Sequence, residues 1–195
     1  MPVNGLLRFV GIFNAAIWLG GAVFFSFLAG NTFFQPEVVN YVPPPYNGLV
    51  AQAVMERYFL LHYICGIIAL IQLTTEWLYS GSEFPCLSAA LAAVLLCLAL
   101  GGGKWISPRL NELFQVKYSF RLKTEGKSPM IENSSEFTAT EIQEAKRDFA
   151  LLHGVSMSVN LLMLGLLAVQ FWRASYPPAL PHFTTGSRLG PRNTD

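Results

Sequence analysis

Asn14, His62, Glu76, His153, Ser156 and Asn160 lead the polar side chains that stand inside or at the edge of long apolar stretches of this chain. A polar or ionisable group is costly in hydrocarbon and turns to the bundle interior, so chemistry is looked for first at such positions. The two histidines lead. His62 lies five residues beyond Arg57, and His153 five beyond Asp148, so each is expected about 7–8 Å along its helix from a water-side charge. Matched depth on facing helices is what a b-type haem needs: two neutral imidazoles ligate the iron inside a bundle, and interfacial arginines pair with the propionates. Arg57, Arg109 and Arg147 are the candidate propionate partners. Cys65 shares a helical face with His62, three residues away, which makes His62, Cys65 and His153 a candidate three-ligand metal set. The bland alternative is that each histidine hydrogen-bonds a neighbouring helix, a contact worth about 0.6–2 kcal/mol.

Other chemistry finds little support. No Ser/His/Asp set, phosphate-binding loop or dinucleotide fingerprint is visible, so the sequence points away from an enzyme. The three cysteines, Cys65, Cys86 and Cys97, have no CxxC spacing, which supports neither a disulfide framework nor a zinc ribbon. Lys and Arg number 13 against 12 Asp and Glu, a net charge of +1, and the cations are too dispersed for a phosphate-reading stripe. Nucleic-acid binding is disfavoured on that ground.

The elements that must position these residues follow from composition. Of 195 residues, 52% are apolar and 13% charged, and the mean hydropathy is +0.40, whereas a soluble domain carries about 25% charged residues. A bilayer span needs about 20 apolar residues. Four stretches meet this, at about 6–29, 58–79, 86–103 and 149–172, and predict an all-α, up-and-down four-helix membrane bundle. The first is too long for the apolar part of a signal peptide, which runs about 7–15 residues, and is read as a helix. Tyr58, Trp77, Tyr79, Trp105, Trp172 and Tyr176 fall where spans leave the hydrocarbon, while Trp18 alone lies mid-span. Gly20-Gly21 and Gly101–Gly103 allow close helix approach.

Between the third and fourth spans, Ser107 and Pro108 read as the N-cap and first residue of an amphipathic helix carrying Leu110, Leu113, Phe114 and Phe120. Arg109 can pair there with Glu112. Lys123 to Ser135 reads as a polar turn. Thr138-Ala-Thr-Glu141 fits a capping box, so the fourth helix is expected to start near Thr138, outside the lipid. Asn40 to Asn47, with Pro43-Pro44-Pro45, is expected to be a stiff linker, and residues 176–195 a disordered tail.

Taken together, Phe24-Phe25-Ser26-Phe27-Leu28-Ala29-Gly30, Tyr58-Phe59-Leu60-Leu61-His62, Lys104-Trp105-Ile106-Ser107-Pro108-Arg109, and Arg147-Asp148-Phe149-Ala150-Leu151-Leu152-His153-Gly154-Val155-Ser156 with Asn160 resemble the family of transmembrane protein 205. Its bacterial members form a domain of unknown function. The resemblance implies a four-helix integral membrane protein and a shared histidine pair, and it supplies no activity. Two function classes follow: a non-catalytic membrane subunit or scaffold that packs against other membrane-protein subunits in the lipid bilayer, or a haem b redox subunit. Metal or small-molecule permeation is a third.

Nine cations (Arg57, Lys104, Arg109, Lys117, Arg121, Lys123, Lys127, Lys146 and Arg147) stand at one end of the spans against four (Arg8, Arg173, Arg188 and Arg192) at the other. By the positive-inside rule the expected location is a bacterial inner membrane with both termini outside and Lys104–Ala150 in the cytoplasm. Cysteines introduced at Lys127 and Gly186 check this by labelling in intact cells. Gly186 is expected to react from outside and Lys127 to stay protected; the reverse pattern inverts the topology.

Overall fold

The computed structural model describes residues 3–81, 83–119 and 137–176. Nearly all of them are helical and none of them lies in a strand. Four helices are long and apolar enough to cross a membrane: α1 Val3–Thr32, α3 Tyr46–Ser80, α4 Cys86–Lys117 and α5 Ala139–Ser175. The short α2, Pro36–Tyr41, lies between the first two. The chain is an all-α membrane bundle.

Side-chain contacts fix how the helices run. On α1 and α3, Asn14 meets Cys65 and Trp18 meets His62, so sequence numbers rise in opposite directions. Arg173 of α5 meets Ser88 near the start of α4, while Phe149 near the start of α5 meets Phe114 near the end of α4. Neighbours along the chain are therefore antiparallel, and α3 and α5 run the same way.

The core is a column of small and large residues: Trp18 and Ala22 on α1, Cys65 and Ala69 on α3, Ala92, Leu95 and Ala99 on α4, and Met163 and Leu167 on α5. Alanine at helical spacing on α4 lets neighbouring backbones approach, which is how helices associate where lipid leaves no hydrophobic drive between them. The outer surface is apolar, with Phe9, Phe13, Ile64, Ile71, Leu161 and Leu162 all exposed.

Two spans change pitch. α1 passes through a π-helical turn at Phe24–Ala29, and α4 through another at Gly102–Ile106. The second replaces the expected helix start at Ser107. That residue has φ −62° and ψ −47°, inside a continuous helix, so it caps nothing. Pro108 removes one N–H from the backbone ladder, and a wider turn just before it absorbs that loss without ending the helix. The same turn lies against α3: a Cβ added to Gly102 would stand 2.7 Å from the Phe59 ring. Only glycine permits that approach.

Beyond the π turn, Leu113 and Phe114 are buried against the start of α5, as the amphipathic reading requires. Phe120 and the polar turn over 123–135 lie outside the described residues, as do residues 177–195 of the expected tail. The Asn40–Asn47 linker is shorter than expected. α2 reaches Tyr41 and α3 already begins at Tyr46, well before the apolar stretch opens near Tyr58. The early start is held by packing, because the Phe114 ring covers Gly48.

α5 opens with the capping box. The Thr138 hydroxyl accepts from the Glu141 N–H at 3.3 Å, and the Thr138 N–H donates to the Glu141 carboxylate at 2.7 Å. Its 37 residues extend about 55 Å at 1.5 Å each, so Glu141, Glu144, Lys146 and Arg147 fall on a stub beyond the hydrocarbon. The hydrogen bonds from the Thr138 backbone and then its hydroxyl hold the Glu141 carboxyl below its ordinary value. A carboxyl whose folded pKa is lowered stabilises above its unfolded pKa and loses that contribution as pH falls through the folded one. The protection factors of amides 140–144, with the intrinsic pH dependence of exchange divided out, should therefore fall on acidification through the carboxylate range. Thr138→Ala should give fast exchange at neutral pH already; unchanged protection in that variant would show that the box does not hold the turn.

Candidate functional site

His62 is completely buried. It sits mid-way along α3 because the apolar face of that helix is interrupted by Tyr58, His62 and Cys65 at spacings of four and three, which places all three on one side. Trp18 Nε1 donates to His62 Nδ1 at 2.6 Å, and the Tyr58 ring meets the imidazole edge-on with centroids 4.3 Å apart. Indole nitrogen is only ever a donor. His62 Nδ1 must therefore carry a lone pair, which in a neutral imidazole puts the proton on Nε2. That Nε2–H is buried and has no hydrogen-bond partner.

A second polar group lies beside the first. The Tyr58 hydroxyl donates to Asn160 Oδ1 at 2.6 Å, and Asn160 Nδ2 donates to Ser26 Oγ at 2.7 Å, linking α3, α5 and the π turn of α1. Phe25, also in that turn, stacks on Tyr58 at 4.4 Å. One turn before Trp18 on α1, Asn14 Nδ2 donates to the Cys65 carbonyl at 2.9 Å. Asn14 and Asn160 thus serve as the interhelical donors that their positions suggest.

His153 is elsewhere. It is exposed and stacks on Phe149 with centroids 5.8 Å apart and planes 8° from parallel. Lys117 Nζ lies 4.7 Å from the centre of that same Phe149 ring. This is a cation and aromatic collar at the bundle's end, not an interior site. The Tyr58–Asn160 bond also sets the α3–α5 register: His62 is four residues past one partner and His153 seven before the other, an axial offset of about 16 Å at 1.5 Å per residue. The equal depth inferred from Arg57 and Asp148 does not hold, because with Tyr58 level with Asn160 the Arg57 and Asp148 charges are themselves not level.

The structure does not bring the residues of the haem arrangement together. The histidines share neither depth nor face, and the Trp18 bond leaves His62 with an N–H where an iron ligand needs a lone pair. The three-ligand metal set is not assembled either: among the described residues no three His, Cys, Asp or Glu side chains form such a group, and Cys65 is buried while His153 faces outward. Of the candidate propionate partners, Arg109 is bound to Glu112 at 2.8 Å, Arg147 leans on Asp148 at 3.4 Å, and Arg57 is exposed. Glu76 accepts from Gln72 at 2.6 Å on its own helix. Sequence reasoning overlooked Trp18, Ser26 and the Tyr58 hydroxyl. The available signal was Trp18 itself, a donor placed mid-span away from either interface belt.

The chain belongs to the family described as a domain of unknown function (DUF4149), whose model matches residues 13–119, more than half of its length. That segment holds Asn14, Trp18, Ser26, Tyr58 and His62, the α1 and α3 members of the polar centre. No curated protein and no solved structure matches.

Trp18→Phe removes the donor and, at a fully buried position, also leaves a small void where the second ring was. It is expected to cost about 1–3 kcal/mol, the range for stranding a buried polar atom, with the loss read by thermal unfolding in detergent. Nitrogen chemical shifts of His62 should show a single Nε2–H tautomer in the parent and a mixture in Trp18→Phe. A parent already mixed would contradict the bond.

Proposed function

We propose that the protein is a non-catalytic membrane subunit or scaffold, seated in the bacterial inner membrane with both termini outside, whose interior polar groups fix one packing of four helices and whose apolar exterior is open to lipid and to other membrane-protein subunits. The Trp18–His62 bond carries this reading. It commits the most buried titratable side chain to helix packing and withdraws it from ligation. Asn14, Tyr58, Asn160 and Ser26 are committed in the same way. Kinship with transmembrane protein 205 fits the four-helix form and rests on the residue pattern quoted above.

Protein purified from haem-replete membranes tests the reading against the redox alternative. It should be colourless and iron-free. His62→Ala should lower stability by about 1–2 kcal/mol, whereas His153→Ala, at an exposed position, should stay within about 0.5 kcal/mol of the parent, and neither should alter any visible band. An absorption band that shifts on reduction, and is lost in either variant, would overturn it. A photo-reactive residue replacing the exposed Leu161 should give discrete adducts with another membrane protein; lipid adducts alone would remove the partner from the proposal.

A further inference from the structure

α1 ceases to contribute to the core after Ala22. From Phe24 to Tyr41, through the π turn, the tip of α1 and the whole of α2, no residue is buried. The tip is tied to the bundle at its π turn, where Ser26 Oγ accepts from Asn160 Nδ2 at 2.7 Å and Phe25 stacks on Tyr58. Further along, the Asn31 and Thr32 side chains donate to the Phe27 and Leu28 carbonyls, which braces the tip on itself.

The backbone of this turn has two ways to be satisfied. The Gly30 N–H bonds the Phe25 carbonyl, five residues back, where a regular α-helix would use that of Ser26, four back. Val23 and Gly30, on either side, have helical φ and ψ of −63°, −49° and −57°, −45°. The helix can therefore pass to regular pitch by exchanging one acceptor for the next, with no N–H stranded in hydrocarbon. That exchange turns the tip about its own axis by the angle of one residue, which carries a Cα at a radius of about 2.3 Å through about 3.5 Å. Ser26 and Phe25, inside the turn, move part of the way and leave Asn160 and Tyr58. Glycine at position 30 permits the π form, since a Cβ there would stand 3.2 Å from the Phe25 carbonyl oxygen.

We propose that the segment Phe24–Tyr41 is a two-state strap. In the π form Asn160 latches it through Ser26 and the Phe25 ring covers Tyr58; in the regular form the latch is released and the Tyr58–Asn160 pair is uncovered on the α1 side. Both states keep the core contacts of α1 up to Ala22, including the Trp18–His62 bond. The strap is thus a moving part added to a fixed bundle, and it goes beyond the scaffold role without altering it.

A 4-fluorophenylalanine replacing the exposed Phe27 reports the state of the turn by fluorine NMR of the full chain in bilayer discs. The parent should give one dominant resonance, that of the latched form. Ser26→Ala removes the acceptor and should raise the ratio of a second resonance to the first about fivefold, the worth of one hydrogen bond. Gly30→Ala touches neither Asn160 nor Tyr58 but crowds the Phe25 carbonyl and favours regular helix, so it should raise the same second resonance. Ser26→Thr keeps the hydroxyl and should match the parent. A spectrum unchanged by Ser26→Ala overturns the proposal, and so do different new resonances in Ser26→Ala and Gly30→Ala, because variants that bias one equilibrium must populate one second state. The Nε2–H tautomer of His62 should persist in every variant; its loss would mean that the core moves with the tip, which also overturns the strap.

Discussion

Burying an imidazole and an indole N–H inside hydrocarbon is tolerable only if they find each other, and in this bundle they do. The Trp18–His62 bond ties α1 to α3 inside the buried core, of which Trp18 is part. Without it, two polar atoms at the centre of the bilayer would lack partners, each a penalty comparable with the whole margin of a helix pair. Once it forms, the vertical positions of α1 and α3 are set, because sliding one helix by a turn would separate the pair by about 5 Å. The Asn14–Cys65 contact on one side and the Tyr58–Asn160–Ser26 chain on the other then fall into reach, and the latter brings in α5.

This explains why the polar residues are spread along the spans rather than gathered into one pocket. Lipid gives apolar helices no preference among registers, whereas each directional bond is satisfied at one register only. Alanine and glycine set how closely the helices approach; the polar groups set their height. A cofactor pocket would need several of these groups to converge without bonding one another, and here they are paired in twos and threes.

The sequence discloses what depends on composition and local pattern. Four apolar stretches, the capping box at Thr138–Glu141 and the Arg109–Glu112 pair all follow from residue types and short spacings, and the structure contains each. It misleads where the answer depends on relations between helices. His62 and His153 look level when each is measured from its nearest charge, but Arg57 and Asp148 are not level with each other, and only the Tyr58–Asn160 contact shows the offset. Trp18 looks like a misplaced belt residue until its acceptor is known. Ser107 looks like a cap because a proline follows it; that a glycine-rich turn can widen and carry the helix through is not encoded in any cap signal.

The widened turns have a consequence for how the chain can change length. A π turn holds one residue more than an α-helix has room for, and that residue rotates everything beyond it by about 100° about the helix axis. In α4 the rotation decides which side of the helix carries Leu113 and Phe114 against the start of α5 and the Phe114 ring over Gly48. A deletion of one residue within Gly102–Ile106 would restore regular pitch, and in doing so swing that pair away from its neighbours. The segment is thus a phase-setting insertion, and a single-residue gap there is a rotation of a whole surface rather than a shortening.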